Sequence, residues 1–203
     1  FANELSVDEI SKLTKNLGKS LLNINFTGGE PFARKEINEI ADLYIKNTTI
    51  QSMYITTNGS LPDRTISFAK NVINKYKHIE LTFQISIDDA PEKHNAVRKV
   101  KHLFDNCYET YHALKKIDER ITPVVAITIS DQNSENIKEI YRSFVEKYNF
   151  NSIKCIAVRD EGVFKTPKES KQKIFDAYSW LSKQIEDDSN KKILKNYNLF
   201  SIQ

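Results

Sequence analysis

Leu21-Leu22-Asn23-Ile24-Asn25-Phe26-Thr27-Gly28-Gly29-Glu30-Pro31 is the stretch on which the reading of this chain turns. Leu21–Thr27 reads as a short strand, and it runs straight into two glycines, a carboxylate and a proline. Paired glycines after an apolar strand permit backbone conformations, and a close approach by a ligand, that a Cβ would block. A neighbouring carboxylate can accept charge-assisted hydrogen bonds from an ammonium group, and proline fixes the backbone so that the strand cannot continue. The arrangement suits capture of an amino-acid moiety. A tight turn with a solvated glutamate is the plainer alternative, about equally weighted on this segment alone.

Outward from this segment the same pattern recurs. Further strands are expected at Ser52–Thr57, Glu80–Ile87, Thr122–Ile129 and Ser152–Ala157, beginning roughly 30–40 residues apart, the length of one βα unit. Between them lie stripes of helical period: Ile37, Ile40, Ala41 and Tyr44, then Ile66, Ala69, Ile73 and Tyr76, then Ile137, Ile140, Tyr141, Phe144 and Tyr148. A first helix is expected over Val7–Leu17 with Ser6 as N-cap. A last one is expected from Pro167, a first-turn residue, to Ile185. Alternating strands and helices with right-handed crossovers give a parallel sheet with helices outside it. Each expected strand ends in a polar or glycine-bearing segment: Thr27–Pro31, Thr56-Thr57-Asn58-Gly59, Ser86-Ile87-Asp88-Asp89, Thr128-Ile129-Ser130-Asp131 and Arg159-Asp160-Glu161-Gly162. In parallel α/β folds ligands bind outside these carboxyl ends. Asn58-Gly59 or Asp88-Asp89 taken singly reads as an ordinary turn. Five in succession on one edge point to a site.

Composition narrows the classes. Of 203 residues, 39% are hydrophobic, 28% are charged, and Gly and Pro number five each, which excludes collagen-like, low-complexity and disordered chains. No apolar run approaches the ~20 residues that cross a bilayer, so no membrane partner is expected. Thirty basic residues against 27 acidic leave +3, with signs interspersed, and no nucleic-acid footprint. Cys107 and Cys155 lie far apart, and His78, His94, His102 and His112 show no metal-binding spacing. No metal ligand is therefore assigned, the cysteines read as packed thiols, and a reducing cytoplasm is the expected compartment. P-loop, GxGxxG and GxSxG motifs are absent.

Four of these motifs, in order and one βα unit apart, carry a specific resemblance. Thr27-Gly28-Gly29-Glu30-Pro31 resembles the GGEP segment of radical S-adenosylmethionine (SAM) enzymes. Thr57-Asn58-Gly59, Ser86-Ile87-Asp88 and His94-Asn95-Ala96-Val97-Arg98 are similar to segments of that superfamily in the same order. The resemblance runs from about Ser6 to Gly162. It implies an α/β fold, a partial (β/α)6 TIM-like barrel of parallel strands lacking the first strand and the cluster loop. On this reading residues 1–162 are a truncated radical SAM core of about five βα units. Residues 163–203 are a C-terminal helix and the start of a further segment. The implied roles are that Glu30 and the Gly28-Gly29 backbone bind the SAM methionyl ammonium, with Pro31 completing this cofactor-binding segment by fixing its backbone. Ser86 contacts SAM, and Arg98 reaches its carboxylate, where a guanidinium fork suits bidentate pairing. Asn58 lines the same mouth, Ile156–Val158 supplies contacts to adenine, and Asp88 either touches the ligand or orients its loop. Glu30, Ser86 and Arg98 are expected to face one pocket.

The same resemblance implies a [4Fe-4S] cluster held by three cysteines, usually C-x3-C-x2-C, a triplet this chain does not contain. Asp89 and Lys99 also stand where many relatives carry glycine. The implied function, for a full-length protein, is reductive cleavage of SAM to start radical modification, with a peptide or protein as the favoured substrate. The later Arg159-x-x-Gly162 resembles a feature of peptide-modifying members that carry a C-terminal auxiliary-cluster (SPASM) domain. The 203 residues alone are expected to be inactive. Two alternatives stay open: a cluster-free relative serving as a binding or carrier module, and an unrelated α/β ligand-binding domain.

Overall fold

The computed structural model describes residues 4–158 and 168–194. In chain order these form α1 (Val7–Leu17), β1 (Asn23–Phe26), α2 (Ile37–Asn47), β2 (Ser52–Thr57), α3 (Pro62–Lys75) and β3 (Glu80–Ser86). Then come α4 (Pro91–Arg98), α5 (Leu103–Leu114), β4 (Ile121–Ile129), α6 (Ile137–Glu146), β5 (Ile153–Ala157) and α7 (Lys168–Asn190). The strands make one sheet in the order β1-β2-β3-β4-β5. β1 with β2, β2 with β3, and β4 with β5 pair in parallel. Neighbouring parallel strands require a crossover between them, so the α/β, partial TIM-like barrel expected from the motifs is the fold of the chain. It divides into two compact units, Phe1–Ile85 with Glu109–Pro123, and Ser86–Tyr108 with Val124–Gln203. Arg159–Gly162, Pro167 and the boundary expected at 162 and 163 lie outside the described residues.

In the first unit, α1 starts where expected because Ser6 and Glu9 cap each other. The Glu9 N–H donates to Ser6 Oγ (3.3 Å) and the Ser6 N–H to Glu9 Oε2 (2.8 Å). Burial alternates along β2 and β3. Met53, Ile55, Thr57, Leu81, Phe83 and Ile85 are buried, while Ser52, Tyr54, Thr56, Thr82 and Gln84 are half-buried between them. The stripe on α3 is rotated from the expected one. Phe68 and Val72 are buried with Ala69 and Ile73, whereas Ile66 and Tyr76 are half-exposed. The cause is aromatic packing: Phe68 meets Phe32 edge-on at 5.5 Å and Phe83 at 6.4 Å, an arrangement that rings favour. Phe32, directly after the Gly28–Pro31 segment, is fully buried in this trio.

In the second unit, Phe104, Phe144, Tyr148 and Phe150 form an aromatic cluster, tightest between Phe104 and Tyr148 at 4.7 Å. Helix α6 buries Ile137, Ile140, Tyr141 and Phe144 as its stripe predicts; Tyr148 lies beyond its end. Helix α7 runs past the expected Ile185 to Asn190. The extra turn carries Asp188, whose carboxylate is buried and accepts the Tyr141 hydroxyl at 2.7 Å. Such a bond compensates the desolvation of both groups.

Helix α4 ends at Lys99 in the left-handed conformation, φ 56° and ψ 32°. This is the helix-terminating position where glycine is favoured because a Cβ is strained there, which gives the glycine common among the resembled proteins a backbone reason. Lys99 is exposed, and its side chain makes no hydrogen bond or ion pair among the described residues that the substitution would remove. Lys99→Gly is expected to stabilise the protein by about 0.5–1 kcal/mol in denaturant unfolding; a destabilised variant would contradict this account of the turn.

Candidate functional site

In the first unit, the strand β1 ends at Phe26 and the chain turns at Gly28, whose φ of 129° is a conformation that favours glycine. Gly28 and Gly29 are exposed, and a Cβ built on either would meet nothing within 4 Å. Glu30 does not hang in solvent. Its Oε1 accepts the Phe32 N–H (3.2 Å) and the Thr57 hydroxyl (2.8 Å), and its Oε2 accepts the Asn58 N–H (2.7 Å). The carboxylate thus ties the segment after β1 to the end of β2. An ionised carboxylate offers about four acceptor positions, so three are used here and capacity for one donor remains. Beyond Pro31 the chain is held again: Arg64 on α3 donates to the carbonyls of Ala33 (3.3 Å) and Arg34 (2.8 Å). Bare peptide at Gly28-Gly29 is thus followed directly by a polar brace at Glu30 and by the buried Phe32 ring.

Asn58 proves to be occupied by its turn. Its side-chain oxygen accepts the Ser60 N–H (2.8 Å), and Gly59, at φ 73°, donates its N–H to Thr57 Oγ1 (3.0 Å). Thr57 was not singled out by the sequence, although it is buried and joins Glu30 to the turn at once. The signal was present: a threonine beginning a Thr-Asn-Gly turn next to a strand that needs a polar tie.

In the second unit, Ser86 closes β3, half-buried, and its hydroxyl makes no hydrogen bond to another described residue. Asp88 is the hub two residues on. Its Oδ1 accepts the Thr128 N–H (2.9 Å), its Oδ2 pairs with Arg98 Nη2, its own N–H donates to His94 Nδ1 (3.3 Å), and its carbonyl accepts Asn133 Nδ2 (2.8 Å). The motif His94-Asn95-x-x-Arg98 splits into anchors and a presented group. His94 is buried against Phe104 (ring centroids 6.4 Å), Asn95 Oδ1 accepts the Phe104 N–H (2.9 Å), and of the three polar residues only Arg98 is exposed. Asn133, buried and bonded also to the Thr128 carbonyl (3.0 Å), was invisible in the sequence because a turn asparagine distant along the chain carries no sign of its partner. On β5, Ile156 is 44% exposed, while the Val158 N–H is committed to the Ile129 carbonyl at 2.9 Å.

Burial pushes the His94 imidazole down to about 4; the Asp88 carboxylate opposes the shift and the Arg98 guanidinium adds to it. With Nδ1 accepting from Asp88, the proton sits on Nε2, which finds no hydrogen-bond partner among the described residues. Burial also pushes the Cys155 thiol up to about 11, and Cys107 is fully buried, so both behave as packed thiols.

Compared with known families, the chain matches the Radical SAM superfamily over residues 1–144. The chain belongs to the radical SAM superfamily. No curated protein matches it in sequence. Its fold is similar to the solved structure of "native anSMEcpe with bound AdoMet and Kp18Cys peptide", at 18% identity and a TM-score of 0.68, covering 91% of this chain and 53% of that one. It is also similar to "native anSMEcpe with bound AdoMet", at 20% identity and a TM-score of 0.66, covering 90% and 52%. The chain thus spans about half the length of these solved chains.

AdoMet is SAM, and its amino-acid end needs an acceptor for its ammonium and donors for its carboxylate. In the first unit, the remaining acceptor capacity on Glu30 and the open glycine backbone suit an ammonium; in the second, the Ser86 hydroxyl, which bonds no other described residue, and the exposed Arg98 suit a carboxylate. The [4Fe-4S] cluster fits less well. Among the described residues no group of three His, Cys, Asp or Glu side chains could hold a metal.

The buried His94 makes the fold sensitive to acid. A folded-state value below the ordinary one contributes stability that is present above about 6.5 and is lost as pH falls toward about 4. The slope from this one group is at most about 1.4 kcal/mol per pH unit. Chemical unfolding of wild type and His94→Gln across that window is expected to show a shallower pH dependence in the variant; equal slopes would contradict the buried neutral imidazole.

Proposed function

We propose that this protein binds SAM at the carboxyl ends of its strands and is the core of a radical SAM enzyme that modifies a peptide or protein. Glu30, with the Gly28-Gly29 backbone, takes the methionyl ammonium, and Pro31 fixes the backbone beside them. Ser86 and Arg98 take the polar amino-acid end, Arg98 through the carboxylate. Ile156 and the Val158 backbone lie against adenine, and Asn58 shapes the turn that Glu30 leans on, while Asp88 serves its loop. The observation that carries this reading is the exposed Gly28-Gly29 peptide, fixed by the Glu30 brace and by the buried Phe32. Rigid, bare backbone beside a carboxylate with acceptor capacity left is suited to an amino-acid ligand and costs little ordering when the ligand arrives.

The superfamily match supports SAM as that ligand. A similar fold solved with AdoMet and a peptide supports the substrate class. The [4Fe-4S] cluster belongs to the proposal for the whole protein, where, once reduced, it would supply the electron for SAM cleavage; no residue of this chain is assigned as its ligand. A reducing cytoplasmic setting belongs to it too. Among the described residues no helix is long and apolar enough to cross a membrane.

Calorimetric titration with SAM, ATP and NAD tests the ligand. Binding of SAM alone is expected, and equal binding of ATP or NAD would turn the reading into a general nucleotide site. Gly29→Ala separates ligand contact from folding. Gly29 has an ordinary φ and open space around its missing Cβ, so thermal stability should be unchanged, while SAM affinity falls about tenfold as the methyl intrudes on the ligand. A variant that binds SAM as wild type does would remove Gly29 from the site. Given iron, sulfide and reductant, the 203-residue chain is expected to form no 5′-deoxyadenosine.

A further inference from the structure

The most heavily bonded side chain at the strand ends is one that the proposed function leaves without a task in binding. Asp88 uses both carboxylate oxygens and both main-chain polar groups internally, on Thr128, Arg98, His94 and Asn133. Three of those partners are themselves fixed: His94 and Asn133 are buried, and the Thr128 N–H belongs to β4. Asn133 is pinned further by accepting the Ser130 N–H at 2.9 Å. Arg98 differs. It sits in the last turn of α4 with its side chain 36% exposed against 18% for Asp88, and only one of its five N–H donors is engaged by the pair. The immobile member of the pair is the aspartate, and the member that faces outward is the arginine.

From this geometry we infer that Asp88 is a positioning residue, which holds the Arg98 guanidinium in the orientation that receives a ligand carboxylate and does not itself touch the ligand. The inference rests on the reading that Arg98 takes the carboxylate of SAM. Two effects of the Asp88 charge oppose each other. It lowers the positive potential around Arg98, which disfavours an anion, and it removes the freedom of a long side chain before binding, which favours one. At a partly exposed pair the first effect is screened by water and weak. The second spares the ligand from ordering a flexible arginine. Pre-ordering therefore prevails, by about tenfold in affinity.

The test is a calorimetric cycle on wild type, Asp88→Asn, Arg98→Ala and the double variant, each titrated with SAM and with decarboxylated SAM. Asparagine keeps an acceptor for the Thr128 N–H while discharging the pair. Asp88→Asn is expected to weaken SAM about tenfold and decarboxylated SAM less than twofold. The double variant should bind SAM no more weakly than Arg98→Ala. Equal losses for both ligands, or a loss that adds to that of Arg98→Ala, would overturn the positioning role while leaving the SAM reading in place. A wild type that binds neither ligand, or an Arg98→Ala variant that binds SAM normally, would instead overturn the reading on which the inference rests. Relaxation of the Arg98 side-chain Nε–H in the unliganded wild type needs no variant. An ordered guanidinium is expected, and one that tumbles freely would refute the positioning role.

Discussion

The Glu30 carboxylate, accepting from Phe32, Thr57 and Asn58 at once, is the interaction on which the exposed end of β1 depends. A strand that ends in two glycines has little to hold it: glycine has the largest conformational freedom to lose, and neither Gly28 nor Gly29 has a side chain to pack. The residues that follow supply the missing restraint: Glu30 through its three acceptor bonds, and the Phe32 ring packed among Phe68 and Phe83. Only with both is the bare peptide a fixed surface. The segment is then rigid where a ligand would meet it without any residue of its own filling the space.

The second unit solves a similar problem with a second carboxylate. Asp88 ties the segment after β3 to β4 through Thr128 and Asn133, as Glu30 ties the segment after β1 to β2 through Thr57 and Asn58. The Glu30 carboxylate accepts the Phe32 and Asn58 N–H groups and the Asp88 carboxylate that of Thr128 on β4, and charge-assisted bonds of this kind are stronger than neutral ones. Motifs that read as ligand-binding are thus largely self-bracing. In Thr-Asn-Gly the threonine braces and the asparagine turns the chain; in His-Asn-x-x-Arg the first two anchor the helix and the arginine is left outward.

What was legible in the sequence follows from range. Period-two and helical patterns are local, so the strand Ser52–Thr57 and the helix Val7–Leu17 with its Ser6 cap lie where the pattern puts them. Conformation at a single residue came only from the structure: Lys99, noted in the sequence solely as standing where many resembled proteins carry glycine, is left-handed. Partners distant in sequence were not legible either. Nothing local to Phe32 announces Phe68, nothing at Asn133 announces Asp88, and the length of α7 depends on Tyr141 reaching Asp188. The candidate residues themselves were named from motifs. Whether a motif side chain faces outward or braces its own loop is decided by these distant donors and by packing.

The claim that Glu30 is the brace can be read directly from amide hydrogen exchange in wild type and Glu30→Ala. The Asn58 N–H, bonded to Oε2, and the Phe32 N–H, bonded to Oε1, have the carboxylate as acceptor. The account predicts that both amides are protected in the wild type and exchange much faster in the variant, while amides within β2 and β3 keep their protection. Unchanged exchange at Asn58 and Phe32 would contradict it.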